Sequence, residues 1–173
     1  MSLDLTKQDP TGETQVKAAF ELSWNTLETE VQTFAYYLSL LAFAPFSLSL
    51  IKKLFPHQTI EQINNNLTQL INYSLLQSLG KDEYKLHTLT RRYLRDKLEA
   101  SQQSQIIKRQ SCKVMADLCR EIPNTPTLEN MRKVTPYIPH IEIAAREFQR
   151  TIAEDDIVAL YEGLGSYYSG QGL

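Results

Sequence analysis

The stretch EYKLHTLTRRYLRDKLE, residues 83–99, changes its periodicity halfway along. Apolar and polar side chains alternate in its first part, which places Tyr84 and Leu86 on one face of a strand and Lys85 and His87 on the other. A turn-rich segment precedes it, and a second apolar run lies just before that turn. The two runs predict a β-hairpin whose second strand ends at His87.

The second part of the stretch predicts a helix. Apolar residues recur at helical spacing from Leu89 onward, whereas Arg91, Arg92 and Arg95 share the opposite side. We expect Thr88 to cap this helix, because a hydroxyl oxygen can accept a hydrogen bond from an N–H of the first turn. The junction between strand and helix therefore exposes a helix N-terminus, which favours anions.

The chain before the hairpin is predicted to be helical. Apolar residues three and four positions apart indicate four helices, around residues 16–27, 31–41, 48–55 and 60–71. Ser47 is the expected N-cap of the third helix, which Pro56 ends. Thr59 and Gln62 have the spacing of a capping box at the start of the fourth. This order predicts a small α+β winged helix with a β-hairpin wing rather than an alternating α/β domain.

The rest of the chain reads as wholly helical, so the predicted fold class is mostly α. We divide the chain into a flexible leader at 1–13, the winged helix at 14–100, a helical linker at 101–150 and the start of a tetratricopeptide-like repeat at 151–173. The last assignment rests on Leu164 and Gly165 followed by Tyr168, with Tyr161 as the expected aromatic residue. We expect the chain to be part of a longer protein, because such a repeat needs a second helix.

Composition and charge restrict the function classes. A formal net charge of -2 and a pI near 5.9 give no overall attraction to nucleic acid or anionic lipid. No apolar run approaches the roughly 20 residues of a membrane span, so no membrane partner is expected. Cys112 and Cys119 are two turns apart in one predicted helix, too far for a disulfide with each other, and fit a reducing cytoplasm.

Motifs that carry chemistry are missing from the sequence. It contains no G-x-x-x-x-G-K-[ST] loop to hold phosphates and no G-x-S-x-G nucleophile elbow. Its histidines and cysteines lack the spacing of a metal site. We therefore expect no catalytic residue, no metal site and no enzyme activity in this chain.

The segments AFELSWNTL, TFAYYLSLLAFAPFSLSLI, LINYSLL and YKLHTLTRRYLRDKL, in this order, resemble the winged-helix domain of NB-ARC-type STAND signalling ATPases. The resemblance covers roughly half of the chain, and the downstream helices resemble the linker and sensor of bacterial members. It implies a non-catalytic regulatory role. The winged helix would couple the nucleotide state of an upstream NB-ARC domain to tetratricopeptide repeats of the same chain.

The resemblance also implies a role for one histidine. In the family a Met-His-Asp motif at the wing-to-helix junction supplies a histidine that contacts the β-phosphate of ADP. The matching triplet is Leu86, His87 and Thr88, so only His87 carries over and Thr88 stands in place of the acid. No cofactor is expected in this chain by itself, whereas ADP or ATP with Mg²⁺, and self-oligomerisation on activation, are implied for the longer protein. Taken from the residues alone, His87 is better explained as a surface imidazole bonded to nearby backbone; only with the resemblance does the phosphate contact become an equal alternative.

A winged-helix DNA-binding transcriptional regulator is the alternative function. Arg91, Arg92 and Arg95, with Lys52 and Lys53 of the third helix, would then contact phosphates. DNA readers usually add polar residues aimed at base edges and a wider basic surface, which the third helix lacks. We therefore place regulatory coupling in the cytoplasm ahead of nucleic-acid binding.

Overall fold

The structure is a computed structural model that describes the backbone of residues 10–171 and the side chains of residues 15–171. Most of the predicted leader therefore lies outside the described residues, and its last part, residues 10–13, belongs to the first helix. The elements in chain order are α1 (Pro10–Thr26), α2 (Thr29–Leu40), β1 (Phe46–Ser47), α3 (Leu48–Leu54), α4 (Ile60–Asn72), β2 (Gln77–Gly80), β3 (Glu83–Lys85), α5 (Thr88–Glu99), α6 (Ser104–Arg120), α7 (Leu128–Val134), α8 (Ile138–Glu147) and α9 (Glu154–Gly170), with a 3₁₀ turn at Thr135–Tyr137 before α8.

The predicted fold class is confirmed, since the chain is mostly helical with a small β wing. The sheet is antiparallel with strand order β1-β3-β2, so β3 lies in the middle. The hairpin turns at Lys81 and Asp82, whose φ angles of 51° and 60° are those of a tight turn that follows the strand twist. The sequence did not predict β1, because two residues are too few to show an alternation.

Two of the predicted helix starts are confirmed atom by atom. The Ser47 hydroxyl accepts a hydrogen bond from the N–H of Leu50 at 3.3 Å. Thr59 and Gln62 form a complete capping box, because each side chain bonds the backbone N–H of the other. These caps fix where α3 and α4 begin.

One hydrophobic core runs through the described residues. α6 packs against α2 and α3 of the predicted winged helix, and also against α8 and α9. Fully buried side chains such as Leu38, Leu98, Met115 and Ile141 belong to this continuous cluster. The downstream helices therefore pack together with the helices of the predicted winged helix around one core.

Some details differ from the prediction. α7 and the 3₁₀ turn were not predicted as separate elements, because α7 starts at a capping box of Thr127 and Asn130 and lacks a long apolar stripe. Val16 and Leu89, both expected on buried faces, are 37% and 39% exposed. No helix within the described range 10–171 has both the length and the apolar character needed to cross a bilayer.

Candidate functional site

His87 lies at the junction between β3 and α5, where the sequence places it. β3 ends at Lys85, Leu86 is buried in the core, and His87 has extended backbone angles of φ −66° and ψ 148° before the helix begins. The His87 side chain is exposed. Because β3 pairs with strands on both sides, the position of this junction is well fixed.

The imidazole of His87 caps α5. Its Nδ1 atom accepts a hydrogen bond of 3.3 Å from the N–H of Leu89. A neutral imidazole accepts at one nitrogen and donates at the other, so this contact puts the proton on Nε2. The expectation that Thr88 is the cap was wrong, because Thr88 is already the first helical residue and the ring one position earlier reaches the free N–H.

His87 also lines a surface groove of about 380 Å³, here called the His87 groove. The groove runs between the end of α4, β2 and the start of α5, and its polar lining includes Ser74, Gln77 and Ser78. Its lining contains no aspartate, glutamate, lysine or arginine. Much of the groove surface is apolar, with Ile71, Leu75 and Leu76 in its lining. The features that suit an anionic group are the helix N-terminus, the ring N–H and the few polar side chains beside them.

The guanidinium groups of Arg91 and Arg95 are turned toward α2, not toward solvent. Arg91 Nε donates to the carbonyl of Leu41 at 2.7 Å, and Arg95 Nε donates to the carbonyl of Ser39 at 2.9 Å. These carbonyls belong to the C-terminal end of α2, where intrahelical partners run out. Burial and the neighbouring Arg95 lower the pKa of Arg91. The two arginines therefore act as C-terminal caps of another helix.

Arg92 faces a different side of α5. It lines a small pocket between α1 and α5 together with Val16, Lys17 and Asp96. The three arginines thus do not form the common exposed face that the spacing predicts, because Arg91 and Arg95 turn toward the end of α2. Their contact with nucleic-acid phosphates stays a prediction. To make such contacts, Arg91 and Arg95 would have to break their hydrogen bonds to the carbonyls at the end of α2.

Lys52 and Lys53 lie on α3, beside a groove that separates it from α6. The Lys53 ammonium lies 3.5 Å from a carboxylate oxygen of Glu121, and both side chains are well exposed. An exposed pair of this kind contributes little to stability, so Lys53 can exchange partners readily. The two lysines do not line the His87 groove, and the two surfaces share no residue.

His140, which was not predicted as a site residue, is a buried histidine close to Arg91. It is buried in α8, where its Nδ1 accepts from the N–H of Ala42 at 3.0 Å and its Nε2 donates to the carbonyl of Pro45 at 3.1 Å. Burial is the main cause that lowers the pKa of His140 to about 4, and the charge of Arg91 adds to it. Its only trace in the sequence is a polar position within the apolar face of Ile138 to Ala145.

Among the described residues, no three histidine, cysteine, aspartate or glutamate side chains lie close enough together to hold a metal ion. Comparison of the chain with protein-family models, with curated proteins and with solved structures finds no significant match. Any inference about function therefore depends on the geometry of the His87 junction and its surroundings.

Proposed function

We propose that this chain is a non-catalytic regulatory part of a cytoplasmic STAND-type ATPase. In this proposal the winged helix couples the nucleotide state of an upstream NB-ARC domain to tetratricopeptide repeats downstream. The observation that carries the proposal is the His87 ring, which caps α5 through Nδ1 and so directs an N–H donor at Nε2 away from the helix.

The residues at the junction fit a phosphate group. The His87 groove offers hydroxyl and amide side chains, the ring N–H and the positive end of α5, with no carboxylate in its lining. An ADP held by the upstream domain would supply the anion, and its β-phosphate is the group that His87 would bind. The rest of the nucleotide and its Mg²⁺ would be held by the upstream domain, since this chain has no phosphate-binding loop.

The proposed lock works through a difference between two nucleotide states. A contact between His87 and ADP stabilises the closed position of the winged helix, and loss of that contact lets the domain swing and expose an oligomerising surface. Thr88 replaces the acidic residue of the family motif and lies exposed as the first residue of α5. The junction therefore lacks a carboxylate that would repel the phosphate or restrain the ring.

The test uses fluorescent ADP and a chain extended upstream through the proposed nucleotide domain. His87→Ser is the sharpest variant, because serine is a good N-cap but is too short to reach a ligand in the groove. We expect ADP affinity to fall about tenfold, as for the loss of one charge-assisted hydrogen bond, while the melting temperature of the nucleotide-free protein changes little. Equal ADP affinity in both proteins would remove the assignment.

DNA binding remains the second candidate because of one feature of α4. Its exposed side carries several amide and hydroxyl side chains, among them Asn64, Asn65, Thr68 and Asn72. Amide side chains can bond adenine through two atoms in the major groove. The only charged residue on that helix, however, is Glu61, so phosphate contacts would have to come from elsewhere.

Titration of the chain with duplex DNA at two salt concentrations tests whether it binds DNA. Asn65→Ala should weaken sequence-selective binding, and Lys52→Gln with Lys53→Gln should reduce the salt dependence of binding. Absence of binding by the parent chain at low salt would rule the candidate out. Charge reversal at Arg91 and Arg95 is unsuitable for this test, because it would disrupt the fold.

A further inference from the structure

The N-cap of α5, His87, and two residues within the helix, Arg91 and Arg95, follow one another at intervals of four residues. His87 lines the His87 groove at its start, and Arg91 and Arg95 follow along the helix. They span about 12 Å at a rise of about 1.5 Å per residue. A single helix thus joins the proposed ligand contact to the two guanidiniums, and a displacement of one end displaces the other.

The C-terminal end of α2 is the first anchor of this helix. Arg91 binds the carbonyl of Leu41, and Arg95 binds the carbonyl of Ser39 and lies 3.5 Å from that of Leu40. Cations at the negative end of a helix make charge-assisted bonds with carbonyls that lack helical partners. α5 therefore cannot shift along α2 without breaking these bonds.

α8 is the second anchor. Arg95 forms an ion pair of 2.5 Å with Glu147. From the same helix His140 binds Ala42 and Pro45 in the loop that follows α2. That loop leads directly into β1, which pairs with β3, the strand that ends beside His87. α8 is thus connected to His87 by two routes, one through α5 and one through the sheet.

One donor in this arrangement is unsatisfied. A terminal nitrogen of Arg91 is buried without a hydrogen-bond partner among the described residues. The contacts between α2, α5 and α8 are here called the three-helix joint.

We propose that the three-helix joint couples α8 reciprocally to the His87 groove, with Arg91 and Arg95 as positioning residues for His87. A ligand that holds His87 stabilises the position of α8, and a pull on α8 weakens the ligand contact. Linkage requires the two effects to be equal in free energy. The identity of the ligand as ADP rests on the proposed function, whereas the mechanical connection is a property of this chain alone.

The connection can be measured in this chain by native-state hydrogen exchange. Glu147→Gln removes the charge that α8 offers to Arg95, and Glu142→Gln is its matched control, because Glu142 lies on the same helix but bonds Tyr168 of α9. We expect Glu147→Gln to raise exchange of the amides of residues 91–95 at least about threefold, together with those of 141–145. Amides of residues 63–70 in α4 should not change, and Glu142→Gln should leave α5 unaffected. An effect confined to α8, or one spread equally over α4, would overturn the proposal.

The rate of ADP dissociation from the upstream-extended protein distinguishes two effects of Glu147: coupling of α8 to the His87 contact, and a general stabilisation of the fold. Glu147→Gln should speed dissociation at least about threefold in the parent and should have no effect in the His87→Ser background. If His87→Ser itself leaves dissociation unchanged, the proposed function fails while the exchange experiment still judges the joint. If His87→Ser speeds dissociation and Glu147→Gln does not, the joint fails and the proposed function stands.

Discussion

His140 and Ala42 are joined by a hydrogen bond of 3.0 Å from the backbone N–H of Ala42 to the imidazole Nδ1. The same ring donates through Nε2 to the carbonyl of Pro45, so one buried side chain of α8 satisfies two backbone groups of the loop after α2. This geometry requires the neutral ring with its proton on Nε2, because Nδ1 must accept. Protonation of Nδ1 would break the bond to Ala42.

The stability of the chain should fall as the pH drops from 7 to 4. His140 has a folded pKa of about 4, below its ordinary value of 6.5, so the unfolded state binds more protons between these values. Its contribution is fully present above pH 6.5 and is lost as the pH falls through 4, with a total of about 3 kcal/mol. Urea unfolding at several pH values measures this loss.

His140→Gln is the control for this prediction. Glutamine can still donate and accept but does not titrate, so the variant should be less stable than the parent at pH 7 and show a flatter pH dependence between 6.5 and 4. A variant with the same pH dependence as the parent would show that other groups cause the loss.

Two glycines of α9 provide a matched pair. A Cβ at Gly163 would lie 2.5 Å from the Cβ and 2.9 Å from the Cα of Cys119, whereas a Cβ at Gly165 would meet no atom within 4 Å. Gly163→Ala should lower the free energy of unfolding by about 1–3 kcal/mol through overpacking, and Gly165→Ala should raise it by about 0.5–1 kcal/mol through helix propensity. Denaturant titration of both variants checks the pair, and equal effects would contradict the packing of α9 on α6.

The two cysteines should be unreactive in the native chain. Burial raises the pKa of Cys112 and that of Cys119 to about 12, so neither forms the thiolate at neutral pH. Labelling with a thiol-reactive disulfide reagent should proceed only at the rate of unfolding, and urea should accelerate it. Fast labelling of the folded chain at pH 7 would show that α6 opens locally.

Arg95 should contribute more to stability than an ordinary surface cation. Arg95→Met removes bonds to the end of α2 and to Glu147, and we expect a loss of about 2–3 kcal/mol in the free energy of unfolding. Lys133→Met removes a highly exposed pair with Glu129 on α7 and should leave stability unchanged. Chemical denaturation compares the two, and a similar small effect for both would refute the capping role of Arg95.

The sequence predicted those features that follow from local patterns. The capping box at Thr59, the cap at Ser47 and the helix–hairpin–helix order depend on residues within a few positions of one another, and the structure has them. The strand β1 was missed because it exists only through pairing with β3.

The site was predicted in part for the same reason. His87 was located by the change of periodicity, but its role as N-cap depends on a ring rotamer that no spacing reveals. Arg91 and Arg95 looked like a solvent face because helical spacing does not show which other helix end lies beside them. His140 was passed over because its two backbone partners are nearly a hundred positions away in the chain.

Hydrogen exchange of α5 in the two nucleotide states tests the winged-helix lock most directly. The measurement compares residues 87–95 in the upstream-extended protein bound to ADP and to a non-hydrolysable ATP analogue. We expect exchange in the ADP state to be at least about fivefold slower, and the difference to vanish in His87→Ser. Equal exchange in both nucleotide states of the parent would contradict the lock.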